Sequence, residues 1–456
     1  MRKAAGKIAV MMVCVVMIMG IVANGSDRAS AQQMNTARAA FRARGVWHRP
    51  NSSGRETTLP GLCEVLDEFQ AAGVNMVFLE TFYHGMTVFK TNLIPYYTDF
   101  RNYSYGQYPD YLTAFACEAE KRGIEVHAWV QDFYVGIDET TPLVRFHPDW
   151  MLRDQNGQIR HKTEGQSVGG YLFLDPANLE VQDYLVAFYD ELLTKVPQIK
   201  GLNLDYIRYP VSRFEDGTDT GYTPIAMETF SKQRGLTLSI ENPRADLNAQ
   251  IRDRGLLDAW TQYRADNITG FVGRVRAMVN SRHKGVLLST AVFPEVEQTY
   301  ILKKQDIRTW LGNGYIDIIT PMVYFYDAER IASAGRDIRE IAPHTYCYTG
   351  LYTTYHNQSV SELAAHIRAS DGAGADGFVL FDSAKTFFDS AENYGSYLRE
   401  QFGAADDTQT ETQEPDDLTE TEETEKPENG TEKGGFFNRM IRAICNFFGR
   451  LFHIGG

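Results

Sequence analysis

A (β/α)8 barrel is the fold this chain predicts, and three observations predict it. Between Arg42 and Phe402, near-continuous apolar strand patterns alternate with amphipathic helical ones, the mark of a parallel sheet covered on both faces. The alternation repeats eight times, the number that closes such a sheet on itself. No G-x-G-x-x-G follows the first strand, so the usual sign of an open dinucleotide-binding sheet is missing.

The units run in order along the chain. Strand 42–48 (RARGVWH) leads to a helix over 58–72 that should stop at Gly73. Strand 75–81 leads to a helix over 109–122 with Gly123 behind it, and strand 124–132 to a helix over 176–196. A glycine just past a helical pattern supplies the left-handed residue that ends a helix. The remaining strands read 200–209, 285–294, 315–325, 345–352 and 376–383, with helices over 255–281, 302–313, 328–342, 359–371 and 387–402. Three insertions, 82–108, 133–171 and 211–254, all follow strands. In a barrel that puts them on the face where sites are built. Tyr83, Tyr96, Tyr97, Tyr103, Phe133, Tyr134 and Trp150 make the first two aromatic, which suits either loop packing or a sugar-binding groove.

The flanks differ in kind. Arg2, Lys3 and Lys7 precede an apolar run from Ile8 to Ala23, and Ala29-Ser30-Ala31 fits a small-x-small cleavage site. Residues 1–31 therefore read as an export signal, with an uncleaved anchor as the alternative, and the protein is expected outside the cytoplasm or at the cell surface. Residues 404–435 form an acidic, uncharged-polar and Pro-containing linker without the means to build a core. Over 436–454, Phe436, Phe437, Ile441, Ile444, Phe448 and Leu451 recur at helical spacing opposite Arg439, Arg442 and Arg450. A basic amphipathic helix on a tether reads as an attachment to a membrane surface or an envelope partner. The net charge of −14 disfavours nucleic acid as a partner. Four cysteines remain beyond the signal, Cys63, Cys117, Cys347 and Cys445, without metal-ligand spacing, and read best as free thiols. No metal and no cofactor is expected.

The most informative stretch is Gly201 to Pro210, GLNLDYIRYP. Leu202 and Leu204 alternate with Asn203 and Asp205, the period of a strand. An apolar strand that ends in a carboxylate, a guanidinium and two tyrosines ends at a site. The acids at strand ends are Glu80, Asp132, Asp205, Glu295, Asp327 and Asp382. Glycosidic hydrolysis needs two of them, one protonated and one ionised. Asp205 leads, with Arg208 placed to hold it ionised. Glu295, behind Phe293-Pro294 on the next strand, is its expected partner, with Asp382 and Glu80 as the alternatives and Asp327 as a helix cap. His127 and Trp129 alternate on strand three and are candidate substrate contacts, although a lone histidine on an apolar strand is often core. Tyr83, Tyr206, Tyr209 and Tyr324 are candidate stacking residues for a sugar, as is Asp132 for a polar contact. G-x-S-x-G, H-E-x-x-H and P-loop patterns are absent from the sequence, which disfavours serine-hydrolase, zincin and nucleotide chemistry.

AWVQD at 128–132, HPDWMLRDQNG at 147–157, GYLFLDPANLEVQDYL at 170–185, GLNLDYIRYP, DNITGFVGRV at 266–275, YIDIITPMVYF at 315–325 and GLYTTY at 350–355 resemble, in order, the glycosyl-hydrolase-like family 10 domain. The resemblance spans about residues 41–400. It implies a (β/α)8 fold, an extracytoplasmic place and activity on bacterial glycans such as peptidoglycan strands, and it supports Asp205 as the acid of strand four. Where many members carry a second acid, this chain has Tyr206. The leading expectation is an exported glycoside hydrolase acting on a glycan through Asp205 and Glu295. A non-catalytic glycan-binding barrel, tethered at the surface, is the alternative, and a transferase using the same carboxylates is a third.

Overall fold

The computed structural model describes residues 43–161, 170–353, 358–390 and 392–403. The expected signal (1–31), linker (404–435) and terminal helix (436–454) lie outside the described residues. Eight parallel strands form the closed barrel: β1 Ala43–His48, β2 Met76–Tyr83, β3 Glu125–Gln131, β4 Ile199–Asp205, β5 Leu287–Val292, β6 Ile318–Pro321, β7 Tyr346–Tyr352 and β8 Gly377–Phe381. Closure is seen at Gly45 of β1, which lies opposite Met76 of β2 on one side and Val379 of β8 on the other.

The surrounding helices are α1 Leu59–Ala71, α2 Tyr111–Lys121, α3 Leu179–Lys195, α4 Pro224–Arg234, α5 Pro243–Asp253, α6 Leu257–Arg282, α7 Ile307–Gly312, α8 Ala328–Ile341, α9 Val360–Gly372 and α10 Tyr394–Phe402. Their starts are set by short polar side chains that accept from the first free backbone N–H groups. Thr58 accepts from Gly61, Asp110 from Thr113 and Asp327 from Arg330, while Ser359 and Glu362 form a reciprocal capping box. Asp327 is thus the helix cap expected of it. Gly73 and Gly123 follow α1 and α2 with φ of 71° and 68°.

β5 and β6 are shorter than the expected 285–294 and 315–325, and three further boundaries differ for a local reason. β4 ends at Asp205 rather than residue 209, because Tyr206 turns to φ 49° and leaves the extended region. The helix expected over 302–313 is two pieces, Val296–Lys303 and α7, because Lys304 takes φ 64° between them. The last helix starts at Tyr394, since Ala384–Phe388 forms a separate π-helical turn after β8.

Alternation along the strands sorts side chains into two cores. Val126, Ala128 and Val130 of β3 face outward into the large cluster under the helices. Trp47, Met76, Phe78, Trp129, Ile318, Tyr348 and Val379 fill the barrel interior. Above them is a polar layer. Trp47 Nε1 donates to Asn203 Oδ1 at 3.2 Å, and Asn203 Nδ2 donates to Ser289 Oγ at 2.8 Å. Insertion 211–254 packs separately on α6 through Phe214, Tyr222, Met227, Phe230, Ile251 and Trp260.

Candidate active site

The site lies where β1, β2, β3, β4 and β8 end. Glu80 of β2 is 5% exposed. Glu80 continues the inward face of Met76 and Phe78, and a register shift between Glu80 and Phe82 lets Phe82 pack outward into the helix-facing core. Gln131, two strand positions beyond Trp129 on β3, donates from Nε2 to Glu80 Oε1 at 2.9 Å. Arg49, the first residue past β1, brings Nε to 3.7 Å from Glu80 Oε1 and Nη1 to 2.9 Å from Asp382 Oδ2. Its guanidinium also sits over the rings of Trp129 and Phe381 at 5.7 and 5.2 Å, which fixes its plane.

Asp205 completes the group from β4. Trp129 Nε1 donates to its Oδ2 at 3.0 Å and the Tyr206 amide to its Oδ1 at 2.7 Å. Both oxygens thus accept, the pattern a carboxylate anion prefers. Burial pushes Asp205 above the ordinary aspartate range, with those donors and the Arg208 and Arg49 charges pulling the other way. Glu80 is moved further. Burial, opposed by Arg49 and reinforced by the negative charges of Asp205 and Asp382, pushes its carboxyl up to about 8. A glutamic acid in this state holds its proton at neutral pH while a neighbouring carboxylate accepts hydrogen bonds. That division is what acid-assisted glycosidic cleavage requires.

Aromatic rings border the carboxyls on two sides. Tyr324, Tyr352 and Phe381 form one wall, with Tyr324 and Tyr352 centroids 4.7 Å apart and Tyr352 and Phe381 nearly parallel at 8°. On the other, Tyr206 stacks on Tyr134 at 4.7 Å and 23°, and the Arg208 guanidinium lies 4.6 Å from the Tyr206 ring. A cavity of about 260 Å³ runs from Glu80 and Arg49 into the 82–108 insertion, lined by Tyr83, Met86, Tyr97, Asp99 and Tyr103.

Of the residues singled out in the sequence, Glu80, Tyr83, Trp129, Asp205, Tyr206, Arg208, Tyr324 and Asp382 are at this mouth. Four are placed elsewhere. His127 is fully buried inside the barrel, edge-on to Phe78 at 5.2 Å and beside Gly201, where a Cβ would meet its Nδ1 at 2.3 Å. It sits two residues before Trp129, about 6.6 Å deeper along the strand, so it is core. Asp132 faces outward under α3, accepts from the Tyr189 hydroxyl at 2.7 Å, and is pushed well above the carboxylate range by burial. Tyr209 is fully buried in the outer core. Glu295 starts the Val296–Lys303 helix and has its ion-pair partner, Arg330, on α8 at 3.8 Å. It is not among the leading electrostatic neighbours of Glu80 or Asp205. The β5 strand ends at Val292, and Phe293-Pro294 carries the chain out before Glu295. The Arg208 charge favours ionised Asp205 as expected, while its guanidinium lies between the Tyr206 ring and that of Phe293 at 5.1 Å.

Arg49, Gln131 and Phe381 were not anticipated. Arg49 follows β1 directly, so the strand-end rule that selected the acids finds it as soon as cations are included.

A model of the Glycosyl hydrolase-like 10 family matches residues 42–366. The chain belongs to that family. Among curated proteins, glycosyl hydrolase DigH of Escherichia coli K12 is 23% identical over 270 residues, covering 58% of this chain and 57% of its own length. Glycosyl hydrolase YngK of Bacillus subtilis is 23% identical over 297 residues, covering 58% of this chain and 48% of its own. The chain therefore spans only about half the length of these relatives. Among solved structures, the catalytic domain of β-amylase from Paenibacillus polymyxa matches with a TM-score of 0.51 at 12% identity, over 79% of this chain and 97% of that one. The β-galactosidase of Bacillus circulans sp. alkalophilus matches equally, with 0.51 and 12%, over 80% and 55%. Likeness at this identity establishes the barrel fold. Family and fold together make this glycosyl hydrolase-like 10 barrel glycoside-hydrolase-like.

Proposed function

We propose that the protein is an exported glycoside hydrolase acting on a bacterial cell-wall or extracellular polysaccharide, with Glu80 as the proton donor and Asp205 as the ionised partner. The observation that carries this is the Glu80 carboxyl, buried and pushed up to about 8 beside Asp205 and Asp382. Gln131 occupies Oε1, which leaves Oε2 to carry the proton to a leaving glycosidic oxygen. Asp205 then supports the developing positive charge at the sugar carbon, as base toward a water or as nucleophile. Asp382 holds Arg49 in place, and the two aromatic walls offer stacking faces for the rings on either side of the bond. Glu295, the partner expected from sequence, yields its place to Glu80.

Export rests on the N-terminal pattern of residues 1–31, and surface attachment on the 436–454 pattern. Peptidoglycan glycan strands are the first substrate to try, on the family's resemblance to envelope hydrolases. The test is product analysis after incubation with purified peptidoglycan, with and without stem peptides, for the wild type, Glu80→Gln and Asp205→Asn. Release of glycan fragments that both substitutions abolish supports the reading. Tight glycan binding with no cleavage by folded wild-type protein would replace it with a glycan-binding barrel. Undiminished turnover by Asp205→Asn would sink the assignment of the pair.

A further inference from the structure

Next to the carboxyl group lies a second polar network that the proposed chemistry leaves unused. His48 ends β1 directly before Arg49, and Ser383 directly follows Asp382. His48 Nδ1 is 2.7 Å from Ser383 Oγ, and its Nε2 is 2.8 Å from Glu56 Oε2. Glu56 also accepts from the Tyr111 hydroxyl, and from Ser53 Oγ at 2.7 Å. Its backbone carbonyl takes the Tyr105 hydroxyl at 2.9 Å. The His48 ring is stacked on Phe115 at 5.4 Å and meets Phe69 edge-on at 5.4 Å. The serine–histidine–glutamate order invites comparison with a nucleophilic triad, but His48, Glu56 and Ser383 are each 0% exposed. No substrate carbonyl reaches such a serine.

What the network does touch is the seam of the barrel. The His48–Ser383 bond joins β1 to the segment after β8 one residue before the Arg49–Asp382 pair on the first strand and one residue after it on the last. We propose that the buried Ser383–His48–Glu56 chain is a positioning device that holds Arg49 and Asp382 together across the closing seam of the barrel, and so keeps Arg49 against Glu80. The Arg49 side chain is 42% exposed, so water competes for its ion pairs. The network clamps the backbone on both sides of its ion pair, and a carboxylate that must stay ionised anchors the clamp. Burial raises Glu56, but the His48 charge and the hydrogen bonds from His48, Tyr111 and Ser53 override it and hold the carboxyl at about 2.

The consequence falls on Glu80. That carboxyl is faced by Arg49 from β1, Asp205 from β4, Asp382 from β8, Gln131 from β3, and the phenols of Tyr83, Tyr97 and Tyr134. Arg49 is the one cation in this set, so loosening it moves the proton affinity of Glu80 upward. The role in turnover rests on the reading of Glu80 as proton donor, whereas the positioning does not.

The experiment follows Glu80 directly, by infrared difference spectroscopy of its carboxyl stretch against Glu80→Gln in the full chain. Arg49→Gln sets the scale, since an opposite charge within about 4–6 Å moves a carboxyl by about 1–3 units. Ser383→Ala is expected to move the Glu80 midpoint upward by about half a unit or more on that scale. Ser383→Cys, whose sulfur keeps a weak acceptor for His48 Nδ1–H, should restore most of the wild-type value. With glycan, the alkaline limb of turnover should shift by the same amount, with kcat lowered and KM kept. A folded Ser383→Ala that loses thermal stability but titrates as wild type would overturn the proposal and leave the network a stability element. Should Ser383→Ala fail to fold, the neutral pair His48→Asn with Glu56→Gln is read the same way. A wild type without glycan turnover defeats the hydrolase reading, while the infrared titration still decides this one.

Discussion

Trp129 donates its indole N–H to Asp205 Oδ2 at 3.0 Å from the neighbouring strand, while its ring carries the Arg49 guanidinium 5.7 Å from the centroid. One side chain thereby orients both the anion and the cation of the site. Trp129→Phe keeps the ring and deletes the donor. A hydrogen bond to a charged group contributes about 1.5–3 kcal/mol, so turnover should fall about 10- to 100-fold. Because the acidic group loses a donor that favours its ionised form, the acid limb of the pH–rate profile should move up. An unchanged profile in a folded variant would show that Asp205 is not the ionised partner.

Glu80 predicts opposite effects on activity and stability. Its folded-state value of about 8 places the alkaline limb of turnover near that pH, and Glu80→Gln should abolish cleavage. The sign for stability follows from proton binding. Between the unfolded value of about 4.5 and the folded value, the native state holds a proton that the unfolded chain has released, so stability falls as pH rises through that window. Glutamine does not incur this cost. Glu80→Gln should therefore be more stable than wild type by about 3 kcal/mol at pH 7 and nearly equal to it at pH 4. Denaturant unfolding at the two pH values measures the difference.

Glu56 runs the other way. Its carboxyl is held at about 2, so the stability it contributes is fully present above the unfolded value and disappears as pH falls toward 2. Glu56→Ala leaves His48 and Tyr111 without their acceptor in a fully buried site, and should cost about 3–5 kcal/mol at neutral pH. The gap to wild type should close in acid, which a pH series of thermal melts would reveal.

The cavity beside Glu80 is lined by Tyr83 and Tyr97 from the same insertion. Tyr97→Ala removes a wall without touching a carboxyl. Stacking of a base on an aromatic ring is worth about 1–3 kcal/mol; on the lower end of that scale for a sugar face, KM for a glycan should rise about fivefold with kcat largely kept. Equal losses in both constants would place Tyr97 in the reacting centre instead.

For the tail, removal of residues 434–456 should release the protein from membranes or envelope fractions and leave the barrel's melting temperature unchanged. Continued co-sedimentation of the shortened chain would remove the attachment idea.

The barrel was legible because its signal is periodic: the eight strands appear where the alternation puts them, and α1 and α2 stop at their glycines. The site was legible only in part. Asp205 was marked by its place at the end of an apolar strand, and Glu80 and Asp382 by the same rule. Their rank was hidden because it depends on neighbours far along the chain. Arg49 from the end of β1 and Gln131 from β3 decide what Glu80 does, whereas its inward face follows from the parity it shares with Met76 and Phe78. His127 and Asp132 were ambiguous for a related reason. Depth along a strand separates His127 from Trp129, and parity separates Asp132 from Gln131, and either is lost if the strand end is misjudged by a residue or two.

Arg49 and Asp382 are 333 residues apart in sequence and meet only where the first strand lies against the last. A chain interrupted before residue 382 still contains Glu80, Trp129 and Asp205, yet it lacks the Asp382 end of the Arg49 pair. The proposed centre is therefore completed last in synthesis, and its assembly is a report that the ring has closed.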